Sequence, residues 1–249
     1  LCLPLVAFFL YVTLVRTMLG ALASTKDVGI YDQALKLVNI LLTLVTSLGS
    51  VMLPRVAHLL STGEQKAVNK MHEMSFLIYN LVIFPIIAGM LIVNDDFVQF
   101  FLGQDFQDAR YAIAIMIFRM FFIGWTNIMG IQILIPHNRN KEFMISTTAP
   151  AIISVGLNLL FLPKLGYIGA AIVSVLTEAL VWAIQLFFTR RYLKDVPIIG
   201  SMMKIILASA IMYGLLLGSK TVIHFPPTLN VIILSLIHIS EPTRRRGSR

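Results

Sequence analysis

Charge is what this chain has least of. Only 13% of its 249 residues are Asp, Glu, Lys or Arg, while 57% are hydrophobic. A soluble domain carries roughly 25% charged residues. A soluble fold this apolar would lack the polar surface to stay dispersed, so the bilayer is the expected solvent. Cysteine is almost missing: Cys2 stands alone, and no internal disulfide framework is available. There is no glycine-rich phosphate loop of the Walker type, which excludes an ATPase motor in this segment. His58, His72, His137 and His224 read as loop or helix-end residues without metal-ligand spacing, so no metal and no cofactor is expected. No Ser-His-Asp or paired-carboxylate arrangement stands out. Strand-period alternation is also absent, against a β-barrel, whose strands run about 10 residues with alternating polarity.

The net charge of +8 would suggest nucleic acid in a soluble protein. Here most cations lie in loops at the ends of apolar runs, which is the pattern of membrane topology. No nucleic acid partner is expected.

Long apolar runs are what the chain does have. A spanning helix needs about 20 mostly apolar residues. Seven such stretches are predicted, over 3–23, 32–53, 74–93, 110–135, 143–162, 168–188 and 201–219, with an eighth beginning near 229. Pro54, Pro136 and Pro163 are expected to stop the second, fourth and fifth. The connections are short: Ser24–Asp27, Ser61–Glu64, Asn94–Asp96, His137–Lys141 and Lys164–Gly166. The fold class is therefore all-α, a polytopic transmembrane helix bundle. Alternate loops divide the cations unevenly. Arg55, Lys66, Lys70, Arg139, Lys141, Arg190, Arg191 and Lys194 fall on one side, and Lys26, Arg110, Lys164 and Lys220 on the other. The richer side is expected to be cytoplasmic.

Three cations lie inside the runs: Arg16, Lys36 and Arg119. A charge at bilayer depth is costly and usually faces a protein cavity that handles something charged. With the expected orientation all three fall in the outer half, where they could line one vestibule and hold a phosphate by charge-assisted hydrogen bonds. Glu178, mid-way along the sixth run, is the acid among them. Duller roles compete. Lys36 can snorkel to the interface, and either arginine can pair structurally with Glu178. Asn39, Asn127, Gln132, Asn158 and Gln185 are expected to cross-link helices. The residues alone point to transport of an anionic or amphiphilic solute.

An ordered set of strings sharpens this. It comprises Thr17-Met-Leu-Gly20, Val28-Gly-Ile-Tyr-Asp-Gln-Ala34, Leu44-Val-Thr-Ser-Leu-Gly49, Val51-Met-Leu-Pro-Arg55, Gly130-Ile-Gln132, and Leu157-Asn158 leading to Leu162-Pro-Lys-Leu-Gly-Tyr-Ile-Gly-Ala-Ala171. Together, over about residues 3 to 220, they resemble the second half of the bacterial polysaccharide flippases, the Wzx-type transporters of the MATE-like MOP superfamily. The resemblance implies one lobe, the carboxyl-terminal one, of a two-lobed transporter in the cell membrane. It implies a flippase, not an enzyme, moving polyprenyl-diphosphate-linked oligosaccharide repeat units for capsule or exopolysaccharide assembly. Its partners would be that lipid-linked oligosaccharide, membrane lipid and polysaccharide-assembly proteins. Arg16, Lys36, Arg119 and Glu178 would then be substrate-binding residues. Such relatives commonly carry an acid-base pair just before the Thr-Met-Leu-Gly string. Here that place reads Val15-Arg16, so the base is present without its acid.

Alternatives remain open. A lipid II-type flippase would have a similar cavity. A multidrug exporter of the same superfamily would need intramembrane acids, and Glu178 is the one such acid read from the runs. A membrane polymerase or acyltransferase would place catalytic groups in a large outer loop, yet the 94–108 stretch holds no His or Arg.

The ends read as unnatural. Leu1 opens inside an apolar run, as expected of a piece of a longer protein. Residues 234–244 match the conceptual translation of a transposase mosaic-end sequencing adapter. The lobe is thus expected over 1–233, and 234–249 is expected to be adapter-derived.

Overall fold

The computed structural model describes residues 13–198 and most of 202–214. The adapter-like tail, the truncated eighth run, residues 3–12 of the first run and 215–219 of the seventh lie outside the described residues. Among those described there is no strand. Helix α1 covers Thr13–Leu22, α2 Thr25–Ser61 and α3 Gln65–Leu102. Short helices α4 (Ala109–Met116) and α5 (Arg119–Thr126) continue into a π-helical segment, Asn127–Leu134, and α6 spans Asn140–Leu193. Four of these units are long and apolar enough to cross a membrane.

Helix α2 starts where Ser24 adopts an extended backbone and its Oγ accepts from the Asp27 amide at 3.1 Å, an N-cap with an acid in the first turn. It ends where Gly63 takes φ 75°, a conformation that glycine supplies cheaply. Two expected boundaries are corrected. Pro54 lies inside α2 and Pro163 inside α6, and neither stops its helix. Membrane helices tolerate proline because neighbours satisfy the freed carbonyl. The expected loop at Asn94–Asp96 is likewise helical, within α3. At 1.5 Å per residue α3 is roughly 57 Å long, about twice the hydrocarbon thickness. Its polar end stands beyond the apolar layer, so an apolar run reveals only the embedded part of such a helix.

Helix α6 is roughly 81 Å of chain at that rise, enough to cross twice. It does so by breaking at Gly166, whose φ 53° and ψ −133° are non-helical. A Cβ there would lie 2.7 Å from Asp27 Oδ1. That carboxylate also accepts from the Tyr167 amide at 3.2 Å. Asp27 thus serves the N-terminus of α2 and the second arm of α6 together.

The chain runs back and forth between two ends. One gathers Asp27, Asp108 and Tyr167, with Lys26 Nζ 3.6 Å from Asp108. The other brings the His137 and Tyr192 rings to 4.2 Å. Between them α2 packs on α3, α4 and the π segment, and α5 packs on α6. The core holds Phe76, Tyr79, Ile83, Ile113, Met116, Met120, Ile128 and Met129. At Gly124 a Cβ would meet the tip of the Ile83 side chain, so glycine lets α5 approach α3 there without moving it.

Candidate functional site: two ion pairs around Tyr31

Four helices bring charge to one place. Arg16 on α1 donates through Nε to Asp32 Oδ1 of α2 at 2.7 Å. Arg119, at the start of α5, donates through Nη2 to Glu178 Oε1 of the second α6 arm at 3.2 Å. Between the pairs sits Tyr31, buried to 3% exposure and within electrostatic reach of all four groups. Counted along the helices from the acidic end, these residues lie roughly 9–17 Å deep at 1.5 Å per residue. They share one layer.

The two pairs differ in setting. The Arg119 and Glu178 side chains are 7% and 14% exposed, those of Arg16 and Asp32 41% and 27%. Removing one partner of a buried pair leaves an uncompensated charge, at a cost of about 3–5 kcal/mol. The backbone is also irregular at Arg119. Bonds from Phe118 N to Ile115 O and from Met120 N to Ile117 O tighten the turn into 3₁₀ form. Eight residues on, the chain widens into the π segment, where Ile135 N bonds to Gly130 O. Departures of this kind inside a helix tend to mark functional positions.

Asp32 is the residue that sequence reasoning missed. The place expected to hold an acid beside Arg16 is Val15, and the acid arrives instead from sixteen residues later. Asp32 reads as the boundary of an apolar run, whereas it lies seven residues inside α2. Arg16 and Arg119 are therefore each matched by a carboxylate. The excess positive charge of this layer comes from Lys36, one turn beyond Asp32, exposed and without an ion-pair partner among the described residues.

A second polar layer lies toward the basic end. Ser75 Oγ donates to Gln132 Oε1 at 2.7 Å, and His72 Nε2 sits 3.4 Å from the Gln132 carbonyl. His72 is thus a buried bundle residue, not the helix-end residue its sequence position suggested. Tyr79 donates to Asn127 Oδ1 at 2.9 Å, and Gln185 to Ser146 at 3.2 Å. These amides join helices. Asn158 bonds within its own helix, to the Ser154 carbonyl. Among the described residues no group of three or more His, Cys, Asp or Glu could hold a metal ion.

A family model described as "Polysaccharide biosynthesis protein" matches residues 2–111. The chain is similar to the Putative O-antigen transporter of Escherichia coli (strain K12), 26% identical over 189 residues, which are 74% of this chain and 44% of that protein. It is 21% identical over 210 residues to the Probable low-salt glycan biosynthesis flippase Agl15 of Haloferax volcanii, covering 82% of this chain and 43% of that one. Among solved structures, Lipid II flippase MurJ in an inward closed conformation matches with TM-score 0.79 and 17% identity, over 95% of this chain and 50% of that chain. That likeness shows the fold. The chain spans less than half the length of these curated relatives.

Proposed function

We propose that this chain belongs to the MATE-like MOP superfamily of flippases and forms the carboxyl-terminal lobe, over 1–233, of a transporter for polyprenyl-diphosphate-linked oligosaccharides. In this reading the protein carries repeat units across the cytoplasmic membrane for capsule or exopolysaccharide assembly. The basic end faces the cytoplasm. The layer around Tyr31 receives the diphosphate, and the polyprenyl tail stays in lipid. No bond is made or broken, so no catalytic residue is assigned.

The observation that carries the reading is the meeting of Arg16, Asp32, Arg119 and Glu178 at Tyr31, with the exposed Lys36 one turn away. Lys36 and the half-exposed Arg16 are the first contacts. Arg16 spends Nε on Asp32, and its Nη groups carry the planar N–H donors that suit phosphate oxygens. Arg119 is held ready by Glu178 and exchanges that carboxylate for a phosphate oxygen when the helices separate. An anion arriving here would meet donors already oriented by acids, which lowers the cost of ordering them. The polysaccharide reading is favoured over a lipid II-type role by the family model and the glycan-related relatives. Cells carrying Arg16→Ala or Lys36→Ala are expected to lose surface polysaccharide at unchanged protein abundance. Normal capsule in both would defeat the assignment.

A further inference from the structure

Helix α2 carries a polar stripe that the ion pairs do not account for. Lys36, Asn39, Thr43 and Ser47 recur at spacings of three and four and are all exposed, with the exposed apolar residue Ile40 among them, and half-buried Asp32 continues the line. That spacing is one face of a helix. The opposite face is apolar and packed: Tyr31, Ala34, Leu35, Val38, Leu42 and Val45 are buried. From Lys36 to Ser47 the stripe covers roughly 16 Å at 1.5 Å per residue, a large part of the hydrocarbon layer. A lipid-facing surface in a helix this apolar would carry Leu, Ile and Val. Amide, hydroxyl and ammonium groups in line instead indicate a wet path or a polar occupant.

We infer that this stripe is a rail for the sugar rings of the transported headgroup, continuing from the diphosphate layer toward the basic end. The inference rests on the proposed flippase reading and names the part of the substrate this face recognises. Lys36 belongs to both features, so an anchored diphosphate places its first sugars beside Asn39 and Thr43. One helical turn is roughly 5.4 Å, close to the length of a pyranose unit in an extended chain. The chemistry suits hydroxyl-rich ligands. Asn39 offers an acceptor and two donors. Thr43 donates to the Ile40 carbonyl at 2.6 Å, which leaves its oxygen facing outward as an acceptor. The neutral groups bind without fixing one sugar sequence, while charge is confined to the anchor.

The test compares two ligands on the purified protein in nanodiscs: a polyprenyl diphosphate, and the same lipid bearing a disaccharide. Asn39→Ala with Thr43→Val is expected to weaken the saccharide-bearing ligand about tenfold, the worth of one or two hydrogen bonds, and to leave the bare diphosphate unchanged. Lys36→Ala should weaken both. Leu81→Ala, at an exposed apolar position on α3, should alter neither. Equal loss of both ligands in the double variant, or no loss, overturns the rail and leaves the diphosphate site standing. Such a result fits a stripe packed against another part of the transporter. Wild-type protein that binds neither ligand overturns the flippase reading itself.

Discussion

Asp32 and Glu178 decide how the arginines behave. An arginine held by a carboxylate in an apolar bundle is oriented, and it costs less to keep there than a lone one. Glu178→Ala takes from buried Arg119 the carboxylate it donates to and is expected to destabilise the protein by about 3–5 kcal/mol, read as a lowered Tm in detergent. Replacing both Arg119 and Glu178 by Met should recover most of that loss, because removing the whole pair removes the buried guanidinium along with its carboxylate. A double variant no more stable than Glu178→Ala would show that the pair does not act as a unit. The four charged positions Arg16, Lys36, Arg119 and Glu178 were legible because an ionisable residue stands out in an apolar run. Their partners were not. Arg16 meets Asp32 across 16 residues and Arg119 meets Glu178 across 59, and a single sequence carries no signal for pairing at such separations. Asp32 was hidden further because it stood where the apolar run begins, which is not where the helix begins.

At the scale of elements, hydrophobic runs located the crossings, while proline misled about where they end. Pro54 and Pro163 look like stops because proline removes a donor and clashes with the carbonyl four residues back. The break in α6 falls instead at Gly166, three residues after Pro163, where positive φ and Asp27 leave no space for a Cβ. Gly166→Ala is therefore expected to cost about 1–3 kcal/mol in backbone strain, added to displacement of Asp27 from the Tyr167 amide. Gly63 has a similar φ of 75° with nothing near its missing Cβ, so Gly63→Ala carries the backbone strain without that displacement and should lower Tm less. Equal losses at the two glycines would refute the role given to Asp27. The π segment had no sequence signal, because a widened turn uses the same residues as an ordinary one.

For the whole molecule, the alternation of ends was legible from loop chemistry. Short polar connections and unequal Lys and Arg counts describe a chain that turns back at each crossing. The inside-positive reading places Thr62 in the cytoplasm and Gln107 outside. In a Cys2→Ala background, an impermeant thiol reagent should label a cysteine at Gln107 in intact cells and one at Thr62 only after permeabilisation. The reverse pattern would invert the proposed direction of transport. The chain spans less than half the length of its curated relatives, so in the proposed reading the opposite wall of the path is not among these residues.

The central claim is that positive side chains in the helix bundle hold a diphosphate headgroup. The most direct test is equilibrium binding to the protein in nanodiscs of two lipids that differ only there: a polyprenyl-diphosphate-linked disaccharide and the same disaccharide linked to uncharged polyprenol. Tighter binding of the diphosphate form, with that preference lost in Arg16→Ala and Lys36→Ala, is predicted. Equal affinity for the two lipids, or a preference that survives both substitutions, would contradict it.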